Sequence, residues 1–474
     1  MRKPKVREIL ENVLITEAAA EGKALARYND RVIFVPFVVP GDIVDVLIKK
    51  RKNNFAEGEA IAFHHYSDLR VEAQCPHFGI CGGCKWQTLR YDKQLFFKNK
   101  QVIDNLERLG KIDCSRALPI LGSDLRFQYR NKLEFTFSNR QWIPDVSLLS
   151  ERIDDGALGF HIPKFFDKVL NITECALQKE PSNLIRNFIR DYCRKSKLPF
   201  YNIKEHFGLM RNLIIRTSET GDIMVIVVFA ENSSEIEPLL TAIEKAFPQI
   251  TSLLYAVNTK FNDTLGDQQI NVFKGKDYII EQMPTFNDKT KLLSFRIGAK
   301  SFYQTNSKQA YNLYKAAAEF AEPHSDSIVY DLYTGCGTIA NFIADSVKKV
   351  VGIEYVEEAI DDAKINSNLN DIKNTEFFAG DMSKVLTDDF VQTHSRPDII
   401  ITDPPRAGMA ADVTAQLLNI AAKKIVYISC NPATQARDIA ILSEKYDVCR
   451  IQPVDMFPHT HHVENVVELM LKVN

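Results

Sequence analysis

Hydrophobic residues follow two different rhythms in the front and rear parts of this chain. In residues 6–66, short apolar runs such as 32–35 and 43–48 are separated by turn signals, among them Pro40-Gly41-Asp42. Short runs bounded by Pro and Gly are typical of a small all-β barrel. From about residue 327 onward, strand-like apolar runs alternate with helical stretches, which predicts a parallel sheet built from βαβ units.

Six strands are predicted in the rear part, at 328–333, 350–354, 376–378, 398–402, 425–429 and 463–471. The middle is mixed: apolar runs at 212–216 and 223–228 flank a turn and predict a hairpin, and an amphipathic helix follows at about 235–246. The fold class is therefore predicted to be α/β. Residues 1–66 form the barrel, 67–295 a central mixed α/β domain, and 296–474 a Rossmann-like domain.

Composition narrows the class of protein without naming it. The 474 residues leave room for about three domains, and 45% hydrophobic with 25% charged residues is ordinary globular usage. With no signal-like apolar segment after the basic N-terminus and no run long enough for a bilayer, we expect a cytoplasmic protein without membrane attachment. Nine scattered cysteines then favour free thiols, metal ligands or a nucleophile over a disulfide framework.

Charge is unevenly distributed, although the net charge is only -2. Residues 1–150 carry six more basic than acidic side chains, and the remainder carries eight fewer. The densest basic run is 49–52, and taken alone it is best interpreted as a solvated charged turn.

Three predicted strands end in residues suited to chemistry, and such ends meet at one edge of a doubly wound sheet. Gly335-Cys336-Gly337 lets the backbone approach a ligand, and Glu354 can take ribose hydroxyls. Because position 340 is Ala, the dinucleotide fingerprint is incomplete, and a tight strand-to-helix turn explains the glycines equally well. In Asp403-Pro404-Pro405-Arg406, two prolines fix the chain and leave the Asp403 side chain to face a planar ligand.

This tetrad resembles those of nucleobase methyltransferases, and Arg406 at its fourth place favours a ring carbon over an amino group as the target. C5 of a pyrimidine reacts only after a thiolate has added to C6, and Cys430 at another strand end can supply that thiolate. Glu464 can then remove the C5 proton, because a desolvated carboxylate has a raised proton affinity. A lone buried cysteine is more often structural, but the surroundings of Cys430 at 429–434 favour catalysis.

Five stretches together resemble the RNA uracil-C5 methyltransferase family, and the likeness covers nearly the whole chain: 302–306, 331–337, 403–408, 429–438 and 456–464. The resemblance implies that Cys430 is the nucleophile and Glu464 the base. It also implies an S-adenosylmethionine site formed by Gln304, Tyr333, Glu354 and Asp403, and less specifically by Asp381. Thr334 and Ile339-Ala340 depart from the family pattern, and we expect them to affect packing and not chemistry.

Three cysteines, Cys75, Cys81 and Cys84, lie within ten residues of a glycine-rich loop. Their spacing alone leaves zinc, an iron-sulfur cluster and no metal open, since clustered thiolates suit both metals. The family resemblance favours iron-sulfur, because its ribosomal members carry this spacing with a distant fourth cysteine, matched here by Cys175. It implies a 4Fe-4S cluster that clips the loop to the central domain.

The front segment resembles a TRAM domain, an OB-like RNA-binding barrel, through residues 22–27, 34–36 and 40–42. That resemblance makes the basic run 49–52 a candidate phosphate contact. The leading hypothesis is a monomeric enzyme that methylates C5 of a uridine in 23S ribosomal RNA. The alternatives are the transfer RNA enzyme, whose branch typically lacks the barrel and the cluster cysteines, and an iron-sulfur RNA-binding protein with an idle methyltransferase domain.

Overall fold

The computed structural model describes residues 8–143 and 156–473. Residues 1–7 of the predicted barrel segment, 144–155 of the predicted central domain and 474 at the end of the rear domain lie outside the described residues. No helix in the part of the chain that the structure describes is long and apolar enough to cross a bilayer.

The front segment is a closed five-stranded barrel, as the sequence predicts. Its strands are β1 (Ile9–Ala18), β2 (Ala24–Tyr28), β3 (Arg31–Val35), β4 (Ile43–Arg51) and β5 (Phe55–His65), in the order β1-β2-β3-β5-β4. Small and β-branched residues at alternate positions, such as Val44 and Val46, fill its interior. The basic run is no turn: Lys49 to Arg51 continue β4, so their side chains stand on the barrel wall.

An eight-stranded sheet forms the centre of the molecule, in the order β13-β12-β11-β10-β6-β8-β9-β7. Its strands are β6 (Lys132–Ser138), β7 (Gln141–Trp142), β8 (Ala157–Ile162), β9 (Phe165–Asn171), β10 (Met210–Thr217), β11 (Ile223–Phe229), β12 (Ser252–Val257) and β13 (Ile270–Gly275). The predicted hairpin is confirmed as the antiparallel pair β10 and β11. The predicted amphipathic helix is α3 (Ile236–Ala246), which packs with α2 (Ser182–Lys195).

The rear part is a seven-stranded sheet with helices on both faces. Its strands are β16 (Ile328–Leu332), β17 (Lys349–Glu354), β18 (Thr375–Ala379), β19 (Ile399–Thr402), β20 (Lys424–Ser429), β21 (Tyr446–Val454) and β22 (Glu464–Leu471), in the order β18-β17-β16-β19-β20-β22-β21. Its helices are α4 (Ser307–Ala321), α5 (Thr338–Ile343), α6 (Glu357–Leu369), α7 (Met382–Val385), α8 (Asp388–His394), α9 (Ala411–Ile420) and α10 (Pro432–Leu442). The strand β21 is missing from the sequence prediction, because Asp447 and Arg450 interrupt its apolar pattern.

Topology decides what meets at the edge of this sheet. The strands from β18 to β20 are parallel, whereas β22 is antiparallel and lies between β20 and β21. The carboxyl end of β20 therefore lies beside the beginning of β22.

Two elements from the predicted central segment pack on the rear sheet. The helix α1 (Tyr91–Gly110) contributes Val102 and Leu106 to the core formed with α10. The hairpin of β14 (Tyr278–Pro284) and β15 (Leu292–Gly298) joins the core on the opposite face through residues such as Phe295. The rear domain is thus covered by chain that precedes it.

Candidate active site at the strand ends

Cys430 and Glu464 come together through strand register. Ser429, the last residue of β20, pairs with Asn465 of β22. The residues that follow and precede this pair, Cys430 and Glu464, therefore lie next to each other at the edge of the sheet. Gln435 fastens the pair: its side chain donates to the backbone oxygens of Tyr427 (2.9 Å) and Asn465 (3.2 Å).

Three acidic groups and one thiol share this edge. Burial raises the pKa of the Glu464 carboxyl to about 8, the charge of Asp403 adds to the rise, and Arg406 opposes it. Burial likewise raises the pKa of the Asp403 carboxyl to about 7, with help from Asp331. The pKa of the Cys430 thiol is raised to about 11 by burial and by the Glu464 and Asp403 charges, while Arg406 lowers it. Perturbed groups gathered in one place are typical of an active site.

Arg406 is exposed, and its backbone is tied to the cysteine's own helix. The Asn431 amide and the Thr434 hydroxyl donate to the Arg406 carbonyl oxygen at 3.0 and 3.2 Å. One turn further along α10, the Asp438 carboxylate accepts the Met409 backbone N–H (2.8 Å). The tetrad loop and the loop after β20 are thus held in one arrangement, and the Arg406 charge stays near both Cys430 and Glu464.

The turn after β16 leaves room for a ligand beside buried donors and acceptors. Asp331 is fully buried, and its Oδ2 accepts the Thr334 hydroxyl (2.5 Å) and the Ala340 N–H (3.0 Å), while its Oδ1 has no partner. Gly335 has a φ of +55° and nothing within 4 Å of the place where a Cβ would stand. A glycine in open space with a left-handed backbone suits close approach of a ligand.

Glu354 ends β17 next to this turn. Its carboxylate accepts the N–H groups of Gly335 (3.2 Å), Tyr355 (2.8 Å) and Val356 (3.0 Å), which hold it at the strand end. Oε1 accepts two of these bonds and Oε2 only the one from Gly335, so Oε2 has a further lone pair for a ligand hydroxyl. Asp381 follows β18, the next strand along, and caps α7, because its carboxylate accepts the Ser383 N–H and hydroxyl.

The other two predicted cofactor residues lie near the same turn. Tyr333 directly follows β16 with a φ of +64°, and Gln304 is buried just before α4. Sequence reasoning missed three apolar neighbours that are strongly exposed: Phe302, Tyr355 and Val356. Phe302 is tied to the glycine turn by its carbonyl, which accepts the Cys336 thiol (3.4 Å). The sequence could have indicated them, because Tyr355 and Val356 directly follow Glu354 and Phe302 lies two residues before Gln304.

The four predicted metal ligands are close enough for their charges to interact. The thiols of Cys75, Cys81, Cys84 and Cys175 act electrostatically on one another, and burial raises the pKa of Cys81 to about 11 and of Cys84 to about 12. All four are unpaired thiols. Within the described ranges, however, no set of three or more His, Cys, Asp or Glu side chains is arranged as a metal site.

The loop of residues 75–86, the cysteine loop, is fastened to the central domain. His77 accepts the Thr173 N–H at 3.1 Å, two residues before Cys175. A Cβ on Gly82 would stand 2.7 Å from the His161 carbonyl oxygen of β8, so only glycine allows this approach. Half-buried thiols beside the cations Lys85 and Arg186 suit an anionic cluster, because the positive charges offset its charge.

The segment 455–464 was noticed in the sequence only for its family motif. It carries three histidines whose pKa values burial lowers: His459 and His461 to about 4 and His462 to about 3. They are neutral at physiological pH, so the positive charge beside Glu464 comes from Arg406. The side chains that hold this segment, Gln94 and Lys98 of α1, carry no motif that could have revealed them.

Replacing Asp403 by Asn is expected to stabilise the protein at pH 8 while it lowers activity. In the folded protein the pKa of the Asp403 carboxyl is about 7, above its ordinary value of 3.8. The favourable contribution of the protonated carboxyl is complete below about pH 4 and is lost as the pH rises through 7. At pH 8 the variant should gain on the order of 2 kcal/mol, a difference that disappears below pH 4.

The measurement is the thermal unfolding midpoint of Asp403→Asn and wild type between pH 4 and 8. Exposed Asp326 provides the matched control, Asp326→Asn, which should follow wild type at every pH. A midpoint for Asp403→Asn that does not rise at pH 8 would contradict the burial argument.

Comparisons with known proteins agree with this architecture at both ends of the chain. The family described as tRNA (uracil-5-)-methyltransferase matches residues 263–472, and the TRAM domain matches residues 5–61. An uncharacterized RNA methyltransferase of Bacteroides thetaiotaomicron is 55% identical and covers 96% of this chain and 100% of its own. Another, of Chlorobaculum tepidum, is 37% identical over 97% of this chain and 95% of its own.

A solved structure is similar along the whole molecule. It is the Pyrococcus abyssi tRNA (uracil-54, C5)-methyltransferase in complex with S-adenosyl-L-homocysteine, with a TM-score of 0.73 and 27% identity. The match covers 97% of this chain and 100% of that one. A tRNA enzyme can therefore share the full length of this chain, and the front barrel does not distinguish a ribosomal from a transfer RNA enzyme.

The chain combines a Rossmann-like sheet, strand ends that carry candidate catalytic and cofactor-binding residues, and a barrel at its front. These features define the class of S-adenosylmethionine-dependent methyltransferases with a TRAM domain. Within that class, the chain belongs to the RNA (uracil-5-)-methyltransferase family. The predicted fold class and family resemblance are thereby confirmed.

Proposed function

We propose that this chain transfers a methyl group from S-adenosylmethionine to C5 of a uridine, with Cys430 as nucleophile and Glu464 as base. The observation that carries the proposal is the Ser429–Asn465 register, which puts a thiol and a carboxyl of raised pKa side by side. Addition to a ring carbon and later proton removal from the neighbouring carbon require two such groups on one substrate.

In this proposal, Cys430 and Glu464 act in turn on the uracil ring. The Cys430 thiolate forms a bond to C6, and the electron pair of the C5–C6 double bond moves towards C5. When bound, S-adenosylmethionine would supply a methyl group on a sulfonium sulfur; C5 takes that methyl group as the methyl–sulfur bond breaks, and the donor leaves as a neutral thioether. Glu464 then accepts the C5 proton, the double bond re-forms, and the C6–sulfur bond breaks to free Cys430.

Arg406 supports both the addition of Cys430 to the ring and the proton removal by Glu464. Its charge favours the thiolate of Cys430 over the thiol and the carboxylate of Glu464 over the acid. Asp403 raises both pKa values, so that Glu464 is a stronger base than an ordinary carboxylate. Arg406 thus offsets part of the rise that burial and the neighbouring carboxyls cause in the pKa of Cys430 and of Glu464.

The residues at the glycine turn suit the methyl donor. We infer that Glu354 accepts the ribose hydroxyls and that the exposed rings and side chains of Phe302, Tyr355 and Val356 contact the adenine. In this proposal Asp381 lies on the adenine side, and Gln304, Tyr333 and Asp403 contact the methionine end. The unpartnered Oδ1 of Asp331 is a further acceptor at this place.

We propose a uridine of 23S ribosomal RNA as the target, on the family's association of these cysteine spacings with ribosomal members. A transfer RNA uridine is the second candidate, favoured by the full-length similarity to the Pyrococcus enzyme. The test is to map 5-methyluridine in both RNAs from a strain without this chain and from the same strain complemented with it. Loss of the modification from transfer RNA alone would overturn the ribosomal assignment.

We further propose that Cys75, Cys81, Cys84 and Cys175 hold a 4Fe-4S cluster. Supporting it are four half-buried, mutually interacting thiols and the nearby cations Lys85 and Arg186. A cluster here joins the cysteine loop to the segment before α2, a structural role outside the methyl-transfer steps.

Protein purified without oxygen is expected to be brown and to contain about four iron atoms per chain. Cys175→Ser should lose iron and unfold at a lower temperature, because ligation is coupled to folding. Half-buried Cys449 allows a matched control, Cys449→Ser, which should keep its iron. Stoichiometric zinc in place of iron would contradict the cluster.

The barrel is proposed to bind RNA through its basic run. Lys49 pairs with Glu59 (2.8 Å) and Arg51 with Glu8, whereas Lys50 and Lys52 form no ion pair with any described residue. Lys50 and Lys52 are therefore the better phosphate ligands, since they need not give up a carboxylate partner.

Neutralising Lys50 and Lys52 together is expected to weaken RNA binding and flatten its salt dependence by up to about two units of log–log slope, less on single strands. Neutralising Lys49 and Arg51 instead serves as the matched pair and should have a smaller effect. The measurement is RNA affinity over a range of salt concentrations. Equal effects of the two pairs would contradict the assignment, and turnover at saturating RNA should be unchanged in both.

A further inference from the structure

The segment 455–464, which leads into the base Glu464, is held from outside the methyltransferase sheet. His459 stands at its centre with a φ of +66°, a left-handed conformation that is unfavourable for a residue other than glycine. Such a conformation persists only when its surroundings enforce it.

Both backbone groups of His459 are held by other elements. Its N–H donates to the Gln94 Oε1 of α1 at 2.8 Å. Its carbonyl oxygen accepts the N–H groups of Lys85 (2.8 Å) and Trp86 (3.0 Å) at the end of the cysteine loop. The strained residue is thus clamped between a helix and a loop that both lie more than 350 positions earlier in the chain.

Gln94 links these two supports to each other. It is 1% exposed, and its amide nitrogen donates to the carbonyl oxygens of Trp86 (2.9 Å) and Leu89 (2.8 Å). One side chain therefore joins the exit of the cysteine loop to the segment that carries the base. Both N–H groups of the Gln94 amide are used in this link.

The residues on both sides of His459 are also held, by hydrogen bonds or by burial. One turn further along α1, the buried Lys98 ammonium donates to Asp455 Oδ1 (2.5 Å) and to the Phe457 carbonyl (3.0 Å). On the other side, the Thr460 hydroxyl donates to the Phe457 carbonyl (2.8 Å), and Val463 is buried. We therefore expect a displacement at His459 to shift Glu464.

We propose that Gln94 is a positioning residue for Glu464, acting by joining the cysteine loop to the segment 455–464. Cys430 does not depend on this link, because β20 and α10 hold it. The inference rests on the proposed function only for the role of Glu464. The order of the segment itself is a separate and measurable property.

The first measurement is amide hydrogen exchange of full-length protein, wild type against Gln94→Leu. We expect exchange in the segment 455–464 to be at least about tenfold faster in the variant, with β16 and β17 unchanged. Half-buried Gln101 on the same helix provides the matched control, Gln101→Leu, which should exchange as wild type. Unchanged exchange in the segment, or equal acceleration in β16 and β17, would overturn the proposal.

The second measurement separates positioning from general damage. Gln94→Leu should bind S-adenosylmethionine as wild type does and form the Cys430–RNA adduct normally, yet release it several-fold more slowly, so that the covalent fraction rises at steady state. Parallel slowing of adduct formation and release would overturn the positioning role. If Glu464 is not the base, the exchange result stands while the adduct result fails, which distinguishes the two proposals.

Gln94→Glu covers the case in which the leucine variant does not fold. It keeps the side-chain size and the acceptor for the His459 N–H, but it cannot donate to Trp86 and Leu89. Faster exchange in the segment 455–464 is again expected. Exchange equal to wild type in this variant would show that the link to the cysteine loop is unimportant and would overturn the proposal.

Discussion

Cys430→Ala is expected to lower turnover at least about a thousandfold, which corresponds to about 4 kcal/mol of lost transition-state stabilisation. The Cys430 thiol lies beside Glu464 and can add to the uracil ring, and without that addition C5 stays a poor nucleophile. Binding of S-adenosylmethionine should change little, because the glycine turn and Glu354 belong to other strand ends.

The measurement is methyl transfer from labelled S-adenosylmethionine to RNA under single-turnover conditions, with cofactor binding determined separately. Cys449→Ala is the matched control, since that half-buried cysteine lies on β21 away from the strand ends, and it should retain wild-type turnover. Activity of Cys430→Ala at a tenth of wild type would remove the nucleophile assignment.

Glu464→Gln is expected to trap the methylated RNA on the protein, because addition and methyl transfer can proceed while proton removal cannot. The loss in turnover should be about 10²–10⁴-fold, the usual contribution of a general base. The observable is an RNA–protein band that survives denaturing electrophoresis. Exposed Glu444→Gln should form no persistent band, and it is the matched control.

Asp403 provides the decisive comparison, because it is the other carboxyl of raised pKa beside Cys430. If Asp403→Asn traps the adduct and Glu464→Gln does not, the base is Asp403. The pH dependence gives a second check. Since the Glu464 pKa is about 8, the carboxylate fraction rises between pH 7 and 9, and adduct release in wild type should accelerate over that range.

Local pattern was sufficient for most strands of the rear sheet and for the confirmed hairpin at β10 and β11. Period and turn residues are short-range properties, so they can be recognised in a single chain. The strand β21 was missed because its charged positions interrupt the apolar run. The turn expected at 49–52, when the run was taken alone, was wrong for Lys49 to Arg51, since nothing local distinguishes a charged turn from the end of β4.

In the candidate site, too, some features could be predicted from the sequence and others could not. Cys430, Asp403 and Glu354 could be singled out because each directly follows an apolar run, and parallel strand ends converge. The sequence could not show that Cys430 and Glu464 are adjacent, because their proximity depends on β22 lying antiparallel between β20 and β21. The sequence suggested the two residues through their motifs, but the register that joins them is a property of the sheet.

Spacing along the chain was enough to predict the α/β class and the strand ends that carry the candidate reactive side chains. Which distant groups meet depends on the tertiary fold. It brought Cys175 to the cysteine loop, placed Arg406 beside both Cys430 and Glu464, and clamped His459 between Gln94 and the loop. Contacts across hundreds of residues are selected by packing and hydrogen-bond satisfaction, and these leave no periodic trace in the sequence.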